Sequence, residues 1–258
     1  MGSIPRTGFG RGQAAGPAGW HAVPMPLTDL GPDHPLLEKV YDRLLARAFP
    51  ADELVALDHL RDGLAGGLTP AVLAVDGDRP LGVAVGEWSP ATRVLLLSYV
   101  AVDPAARSGG IGRALMATAL GDWQRRLEPA VTLAEVEHPA AHTADPDRGD
   151  PAARVRFYAR LGARALDLPY FQPSLRPGRA RVPGMLLTVL AVEPALRDAT
   201  ALPGAPLRTW LTEHFTGTEG RVPEDAAGRA LFEAADRPGG ILLLPLDDPG
   251  VLPCARAV

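Results

Sequence analysis

Cysteine and long apolar runs are scarce in this sequence. Cys254, the single cysteine, lies four residues from the end of the 258-residue chain. One thiol excludes an internal disulfide and a cysteine-based metal site within one chain, and its position argues against a catalytic nucleophile. No apolar run reaches about 18 residues, and residues 1–20 are rich in Gly, Pro and Arg, so neither a membrane span nor a signal peptide is predicted. We expect a cytoplasmic protein with no membrane partner and no metal.

Positive charges are slightly outnumbered, with 26 Lys and Arg against 30 Asp and Glu. The formal net charge is −4 and the pI is about 5.9, so the composition offers no basic surface for nucleic acid. Lys39 is the only lysine, which excludes a phosphate-binding loop of the G-x-x-x-x-G-K-[ST] type. With 47% hydrophobic residues, 22% charged residues and no internal repeat, the chain suffices for one core with extensions.

A glycine-rich turn joins an apolar run to a helical pattern in the middle of the chain. The run at 95–102 predicts a buried strand that ends at Asp103-Pro104, and the turn at 107–112 reads Arg-Ser-Gly-Gly-Ile-Gly. Apolar spacing from 111 to 120 predicts a helix directly after it. The first N–H groups of a helix lack internal partners, and glycine lets a phosphate approach the backbone closely. The turn is therefore predicted to bind a ligand that carries phosphates.

The spacing around this turn narrows the choice of ligand. A dinucleotide fingerprint needs a third glycine, but Arg113, Ala114 and Leu115 follow Gly112. The pattern V-x-P-x-x-R-x-x-G-x-G-x-x-L fits residues 102–115 instead. It resembles motif A of the GCN5-related N-acetyltransferases (the GNAT family), whose turn holds the pyrophosphate of acetyl-CoA; an ordinary strand–turn–helix is the alternative. The resemblance implies acetyl-CoA (CoA) as co-substrate, bound by Val100, Ala101, Val102, Arg107, Ser108, Gly109, Gly110, Ile111, Gly112 and Arg113.

A second stretch, residues 155–163, resembles motif B of the same family. Phe157, Tyr158 and Gly162 occupy the matching places of an F-Y-x-x-x-G-F pattern, and Ala163 departs from its last aromatic. Gly162 also suits the left-handed position that ends a helix. In the family the matching tyrosine lies near the thioester sulfur and can protonate the leaving thiolate, which makes Tyr158 a candidate catalytic residue. The alternative for Tyr158 is a core aromatic on an amphipathic helix.

The resemblance implies an α/β (α+β) GNAT fold with a mixed central sheet, in which the fourth and fifth strands run parallel and splay apart. In the family the pantetheine arm pairs with the fourth strand, here near 99–102. We expect a disordered leader at 1–19, the acetyltransferase domain at 20–193 and a C-terminal helical extension packed on it at 194–258. Helices are predicted at 35–49, 51–64, 111–127, 152–161, 206–215 and 224–235, and strands at 21–27, 71–75, 81–88, 93–102, 131–137, 163–166 and 185–192, with a strand or packing segment at 241–246.

The position of the general base departs from the family. Family members often carry a glutamate on the fourth strand, but alternation puts no carboxylate on the predicted face of the strand at 93–102. The family's base is therefore not carried over. We expect backbone N–H groups of a bulge near Ala101 and Val102 to stabilise the charge that develops on the thioester carbonyl. The predicted face consists of Leu96, Ser98, Val100 and Val102.

Glu135 and Glu137 are the best replacements for that base. They stand two residues apart on the strand at 131–137, so they share a face at its C-terminal end, where ligand sites of α/β sheets usually lie. Their mutual repulsion would raise the pKa of one of them, which suits a base. The alternative is two ordinary surface acids.

Further residues border the predicted acceptor side. Glu87 at the end of the third strand, Ser98 on the fourth and Tyr170 in a proline-bracketed loop are candidate substrate-binding residues. His214 is predicted to be a surface residue of a helix. The extension at 194–258 has three alternative roles: it covers the core, forms an acceptor wall or makes a homodimer contact.

The sequence thus predicts an acyl-CoA-dependent N-acyltransferase. The expected reaction is direct transfer of acetyl from acetyl-CoA to a primary amine of a small molecule or peptide, with the help of a general base. One alternative is a non-catalytic acyl-CoA-binding module or sensor, which the missing carboxylate on the fourth strand favours. Another is an acyltransferase that uses a larger acyl donor.

Overall fold

The computed structural model describes residues 27–145 and 149–255. The predicted leader at 1–19 and residues 21–26 of the first predicted strand lie outside this part of the chain. None of the described helices is long and apolar enough to cross a membrane. The strands are β1 (Thr28–Asp29), β2 (Ala71–Asp76), β3 (Arg79–Ser89), β4 (Val94–Val102), β5 (Val131–Glu137), β6 (Arg164–Leu166), β7 (Met185–Val192), β8 (Ala201–Leu202) and β9 (Ile241–Pro245). The α-helices are α1 (Leu37–Val40), α2 (Ala46–Ala48), α3 (Leu57–Ala65), α4 (Ile111–Leu127), α5 (Pro151–Arg160), α6 (Gly204–Glu219) and α7 (Ala226–Ala235).

The strands of the described residues form one sheet in the order β1-β2-β3-β4-β5-β7-β6-β9-β8. Neighbouring strands pair antiparallel, except that β4 and β5 are parallel. The connection between these two is α4, as a parallel pair requires a crossover. This order confirms the predicted fold class, a mixed α/β sheet with a parallel fourth and fifth strand.

The parallel strands β4 and β5 separate after a short pairing. Residues Val94 to Leu97 pair with Val131 to Ala134, and the ladder stops there. β4 nevertheless continues to pair with β3 as far as Val102, and β5 with β7 as far as Glu137. Two strand edges therefore face each other across a gap, with backbone groups that can pair with a ligand.

β4 carries a bulge that corrects two predictions. The register between β3 and β4 shifts at Ser98, which is left out of the pairing. A bulge changes the alternation of side chains beyond it. Leu96 therefore packs in one apolar cluster, whereas Val100 and Val102 pack against another on the opposite face of the sheet. The predicted common face is wrong, and the bulge lies at Ser98 rather than near Ala101 and Val102.

Apolar layers cover both faces of the sheet. α4 and α5 lie on one face, where Leu97 of β4 and Ala134 of β5 join their cluster. α6 and α7 pack on the other face against Leu133 of β5. The N-terminal helices cover Val85 of β3 and Tyr99 of β4 in a third cluster. The gap between β4 and β5 therefore lies among three layers.

The two N-terminal helices differ from their predicted form. The predicted helix at 35–49 is α1 and α2 joined by a π-helical segment, Tyr41–Leu45. The predicted helix at 51–64 begins only at Leu57. Its missing part is explained by tertiary hydrogen bonds: the carbonyls of Leu54 and Val55 accept from Arg176, and the Val55 N–H donates to Tyr99 Oη. Backbone groups used in this way are not available to a helix.

The C-terminal extension contributes strands as well as helices. β9 pairs with β6, and β8 pairs with β9, so the segment predicted at 241–246 forms a strand that is second from the edge of the sheet. α6 buries an apolar stripe in the same cluster as Leu133 of β5. The extension therefore packs against the strand that carries Glu135. The buried apolar residues of α6 are Leu207, Trp210, Leu211 and Phe215.

Candidate active site

A cleft of about 530 Å³ opens where β4 and β5 separate. It joins the start of α4, the middle of α5 and the end of β5 in one space. Many of the residues that the sequence predicts for the donor site and for catalysis therefore meet here. The predicted residues in its lining are Ser98, Val100, Ala101, Val102, Gly110, Gly112, Arg113, Glu135 and Tyr158, and Ala48, Phe49, Leu97, Met116, Arg154 and Phe157 complete it.

The glycine turn lies at the N-terminal end of α4. Asp103 accepts a backbone hydrogen bond of 2.9 Å that caps a 3₁₀ turn, Pro104–Gly109. Gly110 then adopts a left-handed conformation with φ of 70°, and no described atom lies within 4 Å of the position that a Cβ would occupy. Its carbonyl accepts from Ala114 N–H and so starts the helix. The positive end of a 17-residue helix thus faces open space beside the cleft. The backbone of Arg107, Ser108 and Gly109 belongs to the 3₁₀ turn, whereas the side chains of Arg107 and Ser108 lie outside the described part of the structure.

Tyr158 lies in the cleft wall because α5 is fixed at both ends. Asp150 caps its first turn by accepting a hydrogen bond from Ala152 N–H (2.9 Å), and Gly162 follows its last turn with φ of 79°. The predicted position of Gly162 beyond a helix end is therefore confirmed. Tyr158 is buried, with Phe157 edge-on at 5.4 Å. Burial raises the pKa of its hydroxyl, so Tyr158 is kept as a proton donor at neutral pH.

Glu135 is a buried carboxylate at the cleft. Its side chain is 8% exposed. Tyr170 Oη donates to Oε1 at 2.6 Å, and Gln172 Nε2 donates to Oε2 at 2.8 Å. Burial raises the pKa of Glu135, while His214 and the two hydrogen bonds oppose that rise. A raised pKa agrees with the expectation from sequence, but its cause is burial rather than repulsion by Glu137.

Glu137 shares its strand face with Glu135 but has different partners. Arg154 Nη1 lies 2.9 Å from Oε2, and His142 Nδ1 lies 3.6 Å from Oε1. The Glu137 carboxylate is therefore engaged in an ion pair with a guanidinium. The two acids of β5 therefore differ in their surroundings: Glu137 pairs with a guanidinium, whereas Glu135 accepts hydrogen bonds from Tyr170 and Gln172.

The predicted acceptor residues split into two groups. Ser98 Oγ donates to Glu87 Oε1 at 3.0 Å, so the bulge on β4 directs its hydroxyl to the end of β3. Tyr170 is fully buried and donates to Glu135. It therefore holds the carboxylate in place instead of lining open space.

His214 also lies at the candidate site, where the sequence does not predict it. It is buried, which corrects the predicted surface position. Its Nδ1 lies 3.8 Å from Glu87 Oε2, and its Nε2 lies 4.0 Å from Glu135 Oε1. Its spacing indicates burial, because it lies three residues after Leu211 and four after Trp210 in the apolar stripe of α6. Although acids and a histidine meet here, no group of three or more His, Cys, Asp or Glu in the described residues is arranged to hold a metal.

A smaller pocket of about 230 Å³ lies beside Glu87. Trp88, His59 and the ring of Tyr99 line it, together with apolar side chains of α3 and β3. Glu87 is thus shared between this pocket and the contacts to Ser98 and His214. The remaining lining residues are Val55, Leu60, Gly63, Leu68, Thr69 and Val85.

Comparison with known proteins agrees with this architecture. The family model of the acetyltransferase (GNAT) domain matches residues 69–162. A solved structure described as a GNAT-family acetyltransferase from Bacteroides thetaiotaomicron is 22% identical, with a TM-score of 0.54 over 74% of this chain and 99% of that chain. The ribosomal-protein-S18-alanine N-acetyltransferase from Escherichia coli is 19% identical, with a TM-score of 0.46 over 67% of this chain and 97% of that chain. No curated protein sequence matches the chain.

The matched segment runs from just before β2 to just after α5 and includes the glycine turn, Glu135 and Tyr158. At 22% identity the likeness to the Bacteroides structure shows the fold alone. That fold is the one that the sheet order and the gap between β4 and β5 describe. The resemblance seen in the motifs at 102–115 and 155–163 is thus confirmed, since residues 69–162 match the family model of the acetyltransferase (GNAT) domain.

Proposed function

We propose that the protein is an acyl-CoA-dependent N-acyltransferase that transfers acetyl from acetyl-CoA to a primary amine of a small molecule or peptide. One observation carries the proposal. A single cleft contains the glycine turn, the buried hydroxyl of Tyr158 and the buried carboxylate of Glu135. These are the parts that a phosphate-bearing thioester, its leaving thiol and an amine nucleophile require.

The shape of the cleft supports a CoA thioester as donor. The space around Gly110 leaves room for a pyrophosphate against the first N–H groups of α4. The unpaired edge of β4 beyond Leu97 can pair with the amides of a pantetheine arm. Apolar side chains of Val100, Met116 and Phe157 line the same space. These residues would hold the donor and place its carbonyl between the two strands.

The pocket beside Glu87 supports an amine as acceptor. A carboxylate in a small, largely apolar pocket attracts a cationic group, and Trp88 offers an aromatic ring that can contact it. Glu87 also connects to Glu135 through His214. The pocket therefore lies next to a carboxylate that is one side chain away from the proposed base.

Glu135 is the proposed general base. An alkylammonium has a pKa of about 10.4, so at pH 7 only about one molecule in 10³–10⁴ is the free amine. Glu135 takes one proton from the ammonium, and the freed lone pair forms the C–N bond at the thioester carbonyl. Burial raises the pKa of Glu135 and so strengthens it as a proton acceptor.

Tyr158 is the proposed acid for the leaving group. The C–S bond breaks with its electron pair on sulfur, and Tyr158 supplies a proton to the thiolate. The nitrogen loses its second proton as the amide forms, and this proton restores the Tyr158 hydroxyl. Burial raises the pKa of the Tyr158 hydroxyl and keeps it protonated until then. A thiol has a pKa of about 8.5 and leaves tolerably well without help, so the contribution of Tyr158 is smaller than that of Glu135.

Binding and turnover are measured separately to test this proposal. Calorimetric titration of the full chain with CoA and acetyl-CoA reports binding. Mass spectrometry of a panel of alkylamines, polyamines, amino acids, aminoglycosides and short peptides reports acetylated products, with malonyl- and longer acyl-CoAs compared as donors. We expect CoA binding and transfer to at least one amine. Binding without transfer to any amine would select the binding module or sensor, and absence of CoA binding would overturn both readings.

A further inference from the structure

A histidine of the C-terminal extension lies between two carboxylates of the site. His214 Nδ1 is 3.8 Å from Glu87 Oε2, and Nε2 is 4.0 Å from Glu135 Oε1. Side-chain exposure is 44% for Glu87, 5% for His214 and 8% for Glu135. Each ring nitrogen faces a different carboxylate, so a protonated His214 ring places one positive charge between two negative charges.

The ring of His214 is held in this orientation by packing. It stacks on Trp210 with centroids 5.0 Å apart and planes 12° apart, and the ring of Phe215 meets its edge at 6.1 Å. Nε2 is fully buried and makes no hydrogen bond within the described residues. Buried nitrogens without a hydrogen bond are uncommon. Here the charged group that faces Nε2 is the carboxylate of Glu135, 4.0 Å away.

The groups that face Glu135 come from every element around it. They are His214 from α6, Tyr170 and Gln172 from the loop after β6, Glu87 from β3 and Tyr99 from β4. Among these groups His214 alone can carry a positive charge. Burial raises the pKa of Glu135, and Glu87 raises it further. Of the groups that lower this pKa, His214 has the largest effect.

We propose that His214 is a positioning residue for the proposed base, and that its charge keeps Glu135 ionised inside a desolvating pocket. A buried carboxylate without such a partner favours its neutral form, which cannot accept a proton. α6 lies beyond the family-matched segment, so the extension is a working part of the site. This inference rests on the proposed function, since it assigns a role toward Glu135 as base.

The test compares pH–rate profiles of the full-length protein and its His214→Gln variant. Acetyl transfer from acetyl-CoA to the fastest amine of the panel is followed. The rate rises with pH as Glu135 loses its proton. Removing the opposing charge of His214 raises the pKa of Glu135, so the rising limb moves to higher pH. We expect a shift of about one pH unit, which is about a tenfold loss on the acidic limb, with rates that converge at high pH.

Two further measurements distinguish this role of His214 from a folding defect. Infrared titration of the Glu135 carboxyl, identified by its absence in Glu135→Gln, reports ionisation without any amine, and we expect a higher midpoint in His214→Gln. Added imidazole should restore the profile of His214→Ala by filling the slot beside Trp210. His142→Gln is the matched control because it removes a histidine next to Glu137 instead.

The outcomes separate this inference from the proposed function. An unchanged carboxyl midpoint in His214→Gln overturns the inference, as does a rate loss that is equal at every pH. If Glu135→Gln is inactive in those cases, the proposed function stands without this role for His214. Full activity of Glu135→Gln removes the proposed base itself and with it the reason for a positioning residue.

Discussion

The proposed donor and acceptor sides of the cleft are built in different ways. The donor side consists of consecutive backbone: the end of β4, the turn at Gly110 and the start of α4, with Tyr158 from α5. The acceptor side consists of buried side chains around Glu135 from separate parts of the chain, among them Gln172 and His214. The donor side therefore depends on local conformation, and the acceptor side depends on tertiary packing.

This difference predicts two kinds of sensitivity. A phosphate held by main-chain N–H groups is lost when the backbone changes its conformation or gains a Cβ, and it tolerates side-chain changes. A buried carboxylate responds to the loss of any one neighbour, because its charge has few other means of stabilisation. A substitution on one side of the cleft should therefore leave the function of the other side intact.

The largest effect is expected for Glu135→Gln, which removes the proposed base and nearly preserves its size. Since general acid–base catalysis contributes about 10²–10⁴ to rates, we expect kcat to fall by about that factor. CoA affinity should be unchanged. Steady-state kinetics with acetyl-CoA and the fastest amine, together with calorimetry of CoA binding, measure the two quantities.

Glu137→Gln is the matched variant for this prediction. Glu137 lies on the same strand face, but its charge is committed to Arg154 and His142. We expect a loss at least tenfold smaller than that of Glu135→Gln, in keeping with their surroundings. A larger loss in Glu137→Gln would exchange the roles of the two acids.

The next effect is expected for Gly110→Val on the donor side. A branched side chain would occupy the open space beside the turn and would strain a residue with φ of 70°. We expect CoA affinity to fall about tenfold or more, which corresponds to about 1.4 kcal/mol or more. Calorimetric titration with CoA measures this change.

Gly178→Val controls for backbone strain in that experiment. Gly178 has φ of 76° and an equally empty surrounding among the described residues, but it does not line the cleft. Both variants should therefore lose similar stability, and only Gly110→Val should lose CoA affinity. Equal CoA affinity in both variants would remove the turn from the donor site.

The structural elements of the proposed donor side could be predicted from the sequence because they are local. The motif at 102–115 predicts the end of a strand, a glycine-rich turn and a helix start, each of which follows from neighbouring residues. The bounds of β5 and the position of Gly162 were predictable for the same reason, since alternation and helix ends are short-range features.

The acceptor side could not be predicted to the same extent because it results from long-range contacts. The bulge at Ser98 depends on the pairing between β3 and β4, which the sequence of β4 alone does not contain. His214 lies 79 positions after Glu135 in the chain, and the two meet only because α6 packs against β5. The late start of α3 likewise depends on Arg176, a residue of a distant loop.

A smaller effect is expected for Tyr158→Phe. The variant keeps the ring that packs beside Phe157 and removes only the hydroxyl. Because a thiol with a pKa of about 8.5 can leave without a proton donor at some rate, we expect kcat to fall about tenfold, with CoA affinity and folding unchanged. Pre-steady-state measurement of thiol release tests this expectation. A fall as large as that of Glu135→Gln would show that proton transfer to sulfur limits the reaction.

The smallest effect is expected for Arg181→Met, which loosens the acceptor side without touching the cleft. Arg181 bonds both carboxylate oxygens of Glu219 at the end of α6, at 2.8 and 2.6 Å, and covers the ring of Phe171 at 5.0 Å. Its side chain is 16% exposed. It therefore ties the loop that carries Tyr170 to the helix that carries His214.

We expect Arg181→Met to lower the free energy of unfolding by about 1–2 kcal/mol, since hydrogen bonds to charged groups contribute about 1.5–3 kcal/mol and partial exposure reduces that. The melting temperature should fall by a few degrees.

Arg208→Met is the matched control on α6. Arg208 pairs with Asp236 at a more exposed position, where its side chain is 46% exposed, and it covers the ring of Phe232 at 5.7 Å. It should cost less than about 0.5 kcal/mol. Thermal unfolding of both variants measures the difference. If Arg181→Met also shifts the pH–rate profile as His214→Gln does, the position of α6 controls the base; if it changes stability alone, the contact between His214 and Glu135 is maintained by the packing of Trp210 and Phe215.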